Sequence, residues 1–82
     1  MMNYSRSYFE FKVAEIKGAY PDGCVVRMCA DDPNIKMGTI GIVDFVDDVG
    51  QVFVCWDDGQ NTVVVPTKNQ IEKIRSELNE KL

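Results

Sequence analysis

A mainly β domain, a small barrel with a helix at each end, is the fold class this sequence predicts, and three observations predict it. Two tight turns, Asp47-Asp48-Val49-Gly50 and Asp58-Gly59, bracket an apolar run from Gln51 to Trp56 that has room only for a strand. Other short β-branched runs between residues 24 and 65 are separated by Gly, Pro, Asn and Asp. Beyond them, both ends of the chain space their apolar residues three and four apart.

Taken in order, Ser7-x-x-Glu10 has the form of a capping box, and Phe9, Val13, Ile16 and Tyr20 follow at helical spacing, so a helix is expected over about 7–18, ended by Pro21-Asp22-Gly23. A strand competes there, because Phe9, Phe11 and Val13 also alternate with Glu10 and Lys12. The first barrel strand runs from Cys24 to Cys29 with Val26 and Met28 inward, and Pro33 and Asn34 mark the loop after it. Gly38 to Val46, Gln51 to Trp56 and Gln60 to Val65 are the second, third and fourth strands, with Pro66 as the stop. Val52, Val54 and Trp56 share one face, and burying the indole contributes roughly 4–6 kcal/mol gross before ordering costs, which makes Trp56 a core anchor. Thr67-x-x-Gln70 caps an expected C-terminal helix over 67–82, with Ile71, Ile74, Leu78 and Leu82 on one stripe; a short fifth strand at about Gln70 to Ile74 is the alternative.

The chain of 82 residues fits one domain, 1–82, with one small core. Its 45% hydrophobic share is ordinary for a globular protein, and no run approaches the ~20 apolar residues of a membrane helix. Charges within Phe9-Glu10-Phe11-Lys12 interrupt any signal-peptide core, so a cytoplasmic protein is expected. With no histidine and an odd number of cysteines, Cys24, Cys29 and Cys55, neither a zinc site nor a disulfide framework is expected. Cys24 and Cys29, five positions apart on one strand, point to opposite faces; buried or half-buried reduced thiols are the expectation.

The net charge of −4 is concentrated between Asp22 and Pro66, where eight aspartates face only Arg27 and Lys36, a segment charge of −6. Such a surface repels phosphate backbones, so direct binding of nucleic acid is not expected. The doublets Asp31-Asp32, Asp47-Asp48 and Asp57-Asp58 read as turn chemistry, since no Asp-x-Asp-x-Asp-Gly loop is present. Ser5, Ser7, Ser76 and the three cysteines have no histidine to activate them, and no apolar pocket motif marks a carboxyl as a proton donor. No enzyme, metal or cofactor is expected.

The succession Tyr20-Pro-Asp-Gly-Cys-Val-Val-Arg-Met28, Asp31-Asp32-Pro33, Gly38-Thr39-x-Gly41-x-Val43, Val46-Asp47-Asp48-x-Gly50, Val54-x-Trp56-Asp57-x-Gly59 and Pro66 resembles a bacterial family of small domains of unknown function, over about residues 20–74. The resemblance implies an SH3-like barrel, often preceded by a short helix, in bacteria, their phages and mobile elements. It implies no activity and no catalytic residue. At outward positions where that family usually has polar or small residues, this chain has Val25, Ile40, Phe45, Phe53 and Cys55. The third strand is therefore apolar on both faces, and its second face calls for a terminal helix, a second copy or another protein to cover it.

The function expected on these grounds is a non-catalytic protein-interaction module, homodimeric or heteromeric. Its candidate partner-binding residues are Phe45, Phe53 and Cys55, with Asp47, Asp48, Asp57 and Asp58 at the rim. An acidic inhibitor is the alternative, its carboxylates standing in for phosphates in the groove of a host nuclease or defence system such as a CRISPR effector. A weaker one is an aromatic peptide pocket of Tyr20, Phe45 or Trp56.

Overall fold

In the computed structural model, which describes residues 6–65 and 70–75, one helix precedes five strands. They are α1 (Arg6–Ala19), β1 (Val25–Met28), β2 (Ile40–Val46), β3 (Val52–Trp56), β4 (Asn61–Val64) and β5 (Ile71–Arg75). The helical reading of the N-terminal segment holds, although α1 starts at Arg6 and so takes Ser7 inside its first turn instead of leaving it as a cap. The first four predicted strands all form, each trimmed by one or two residues at an end.

All strands pair antiparallel in one sheet of order β4-β3-β2-β1-β5. Two expectations are corrected here. The sheet does not close into a barrel: among the described residues β4 ladders only with β3 and β5 only with β1, so both are edges. Its inner face is roofed by other means. Ile35, from the loop after β1, is fully buried in the core cluster, and Ile16 of α1 and Tyr20, the residue just after it, pack against that cluster. The second correction is at the C-terminal end, where Ile71–Arg75 is a strand and not part of a helix over 67–82; residues 67–69 and 76–82 of that expected helix lie outside the described residues. The strand wins because β1 is buried and pairs with β2 along one side only. Without β5, the outer backbone groups of Val25 to Met28 would have no ladder partner. Ile71 then faces Met28 from the core side, and Arg27 forms an ion pair with Glu72 across the ladder.

The core consists of alternate residues: Val26 and Met28 of β1, Val43 and Val46 of β2, Val52, Val54 and Trp56 of β3, and Val64 of β4. Trp56 is 3% exposed, and its Nε1 donates to Thr62 Oγ1 at 2.8 Å, so the indole is buried with its polar atom satisfied. Opposite Trp56 on β2 stands Gly41. A Cβ there would lie 2.6 Å from Trp56 Cε3 and 2.7 Å from Val54 Cγ1, inside van der Waals contact with both. At the other end of β3, Gly50 has φ 86° and sits under α1, where a Cβ would meet Ile16 Cδ1 at 3.0 Å.

The loop between β1 and β2 is held by its own acid. The Asp32 carboxylate accepts from the amides of Asn34 (2.7 Å) and Ile35 (3.1 Å), and Gln60 Nε2 donates to the Asn34 carbonyl at 2.8 Å. These bonds hold the loop that delivers Ile35 to the core.

A contrast between two glycines tests this packing. Gly41→Ala is expected to cost about 1–3 kcal/mol, through displacement of Trp56 and Val54. Gly18→Ala, on α1 with nothing within 4 Å of the added methyl, is expected to stabilise by about 0.5 kcal/mol. Urea unfolding followed by Trp56 fluorescence reads both; equal effects of the two substitutions contradict the close approach at Gly41.

Candidate functional site

The face of the sheet turned away from the core is built around a β-bulge. Register shifts between Val43, which pairs with Val54, and Phe45, which pairs with Phe53. Alternation from inward Val43 would send Phe45 into the core; the extra residue, Asp44, reverses that, so Phe45 emerges outside and Val46 returns inside. Phe45 and Phe53 stack there with centroids 4.4 Å apart and planes 10° apart. Val63 of β4 is paired with Phe53 and continues the row to the sheet edge. Phe45 is 41% and Val63 46% exposed.

Two shallow hollows flank this row. One, of about 330 Å³, has Asp44, Phe53, Cys55, Asn61 and Val63 in its lining; the other, of about 310 Å³, includes Val25, Ile40, Ile42, Cys55 and Arg75. Cys55 belongs to both. Val25, expected as an outward residue, is fully buried, with Ile42 and Arg75 as its cross-strand partners on either side. The helix α1 does not supply the cover that the outer face needs, because Val13 is close to Gly50 and Ile16 and Tyr20 pack on the core side. Phe9, the first residue of the predicted stripe, lies exposed beside a third hollow, about 490 Å³, with Val13, Lys17 and Asp48.

Of the candidate residues, the structure brings together Phe45 and Phe53, with Cys55 on the same face. The four aspartates are divided. Asp47 and Asp48 form the β2–β3 turn and Asp57 and Asp58 the β3–β4 turn, so the length of β3, roughly 17 Å, separates the pairs. Part of this acid is spent on the turns themselves: Asp47 accepts from the amides of Val49 (3.0 Å) and Gln51 (2.8 Å), and Asp58 from the amide and side chain of Gln60. Asp48 pairs with Lys17 at 3.4 Å on the surface. Tyr20, Phe45 and Trp56 do not form an aromatic pocket, since Trp56 and Tyr20 belong to the core side and Phe45 to the outer face. Sequence reasoning missed Asp44 and Val63. The signal for the first was available: Ile40 and Phe45, five positions apart, share a face of one strand only if a bulge intervenes.

All three cysteines are free thiols. Cys24 is buried, and burial pushes its thiol pKa up; Cys29 and Cys55 are exposed, which corrects the expectation of buried or half-buried thiols. Among the described residues, no three His, Cys, Asp or Glu side chains gather as metal ligands would, and no helix is long and apolar enough to cross a membrane.

An open antiparallel sheet with one N-terminal helix and an aromatic row on its outer face is the class of structure these observations define. The family model described as "Domain of unknown function (DUF4314)" matches residues 10–74, and the chain belongs to that family. The match takes in most of α1 as well as the sheet. No curated protein matches the chain, and no solved structure does.

A thiol titration checks this geometry. Cys29 and Cys55 are expected to react with an aromatic disulfide reagent in the native protein, and Cys24 only after denaturation. Rapid native reaction of Cys24, in a Cys29→Ser, Cys55→Ser background, contradicts the packing of β1.

Proposed function

We propose that this chain is a non-catalytic protein-interaction module of a bacterium or mobile element, an SH3-like meander working in the cytoplasm. Its binding surface is the outer sheet face centred on Phe45 and Phe53. The observation that carries the reading is the stacked aromatic pair on the side opposite the core, continued by Val63 and flanked by two hollows. A contiguous apolar row on a sheet face supports this reading, because a partner that covered it would remove apolar surface from water. The stack also lowers the cost of binding, because each ring limits the other's rotamers before a partner arrives. Asp44 at the rim supplies polarity and charge without interrupting the row.

The test uses Cys55 as a reporter in the middle of the face. A photo-crosslinker attached to Cys55 in a Cys29→Ser background, returned to cells that naturally express the protein, is expected to capture one defined protein. Phe53→Asp should abolish capture. That variant is expected to stay folded, since Phe53 is half-buried on the outer face and lies outside the core cluster. Capture unchanged by Phe53→Asp in a folded protein rejects the outer face as the binding surface.

A further inference from the structure

We infer that the free edge of β4 is a strand-docking site, and that its occupant is an extended peptide segment of another protein with β-branched residues at its centre and basic residues at its ends. The inference rests on the interaction-module reading and adds to it the kind of partner and the way it binds. Its first support is the phase of the β3–β4 ladder. Trp56 N donates to the Gln60 carbonyl at 2.8 Å, and the register then runs Cys55 with Asn61, Val54 with Thr62 and Phe53 with Val63. In an antiparallel pair, hydrogen-bonded and non-hydrogen-bonded positions alternate, so Thr62 and Val64 direct their backbone groups to β3. Asn61 and Val63 direct their N–H and C=O groups away from the sheet, and these take no hydrogen-bond partner among the described residues.

The second support is what the edge lacks. Exposed edges are ordinarily blunted by short length, charge, proline or a bulge, and of these β4, at 4 residues, has only the first. From Gln60 to Val65 there is no charged residue and no proline, and the β3–β4 register runs without a break. Val63 places an exposed side chain at this edge, adjoining Phe53 and then Phe45, so an added strand would extend both the ladder and the apolar row.

Charge selects the occupant. Asp57 and Asp58 stand at one end of the edge, Asp47 and Asp48 at the turn of the opposite end, and Asp44 lines the hollow beside Val63. Among these five, only Asp48 has a cationic partner among the described residues. A second copy pairing antiparallel through β4 would bring its own acidic turns against this chain's and would be repelled. A segment with lysine or arginine at both ends meets complementary charge at both turns.

The experiment is fluorescence polarisation with the full chain and a labelled peptide of alternating Val and Thr flanked at each end by Lys-Arg. Two control peptides accompany it: the same sequence N-methylated at alternate amides, prepared in both phases, and one with Glu in place of the basic ends. The basic peptide is expected to bind with a Kd on the order of 10–100 μM. Affinity should fall at least about tenfold for the Glu-ended peptide and for one N-methylated phase, and should weaken as salt rises from about 50 to about 300 mM. Absence of binding by the basic peptide at about 1 mM overturns the inference, and crosslinking from Cys55 then separately decides the interaction reading. Binding that ignores both methylated phases but is lost in Phe53→Asp overturns strand docking while leaving the outer face in place. A wild-type dimer in light scattering that becomes a folded monomer in Val63→Lys assigns the edge to a second copy and overturns the proposed occupant.

Discussion

Trp56 rests on a strand position that has no side chain, and much of the sheet depends on that contact. Gly41 is its cross-strand partner, and any Cβ there would collide with the indole and with Val54. A large ring can therefore lie close to the backbone of β2 and still reach Thr62 on β4 with its Nε1. One side chain thus joins β2, β3 and β4, while its apolar surface fills the centre of a core made otherwise of valines and a few longer residues. In a chain of 82 residues, which buries a modest fraction of its surface on folding, a single aromatic of this size carries a large share of the hydrophobic stabilisation.

The second organising feature is the bulge at Asp44. It resolves a conflict within β2, where Val43 and Val46 belong to the core although three positions separate them, an odd interval that strict alternation would send to opposite faces. The extra residue sends both valines inward and leaves Phe45 outside, where it meets Phe53. Core packing and the outer aromatic pair, exposed Phe45 on half-buried Phe53, are consequences of the same backbone irregularity. Removing the bulge would not simply hide Phe45; it would also turn Val46 out of the core.

Much of this was legible in the residues because the signals were local. The turns at Gly50 and Gly59 delimit β3, period-two alternation marks Val26, Met28, Val52, Val54 and Trp56 as inward, and the spacing of Val13 and Ile16 marks the buried side of α1, a row that Tyr20 continues just past its end. What local pattern could not supply was context. Ile71 and Ile74 fit a helical stripe, but the vacant side of buried β1 needs backbone partners, and that need is invisible within residues 70–75. The sheet is open for a similar non-local reason: Ile35 and α1 reach the inner face from outside the sheet and provide the cover that closure would have provided. On the candidate face, Phe45, Phe53 and Cys55 were readable from composition, whereas the separation of the acidic doublets follows from topology, since adjacent hairpin turns fall at opposite ends of their shared strand.

An open sheet has two faces and two edges, and a short chain has few elements with which to cover them. Among the described residues, Ile35 and α1 cover one face and β5 covers one side of β1. Among the described residues Tyr8, Phe9, Phe11, Met37 and Val49 are exposed elsewhere, and the aromatic row of β2 and β3 runs through Val63 into the uncharged edge of β4. Such a continuous apolar margin invites unspecific association, and the acidic turns at both ends oppose it among copies of the same chain, each of which carries net charge −4. The same turns would leave the proposed basic strand unopposed. In the docking inferred above, repulsion between like copies and attraction for a partner of opposite charge would both come from one arrangement of aspartates, which the fold already uses to shape its turns.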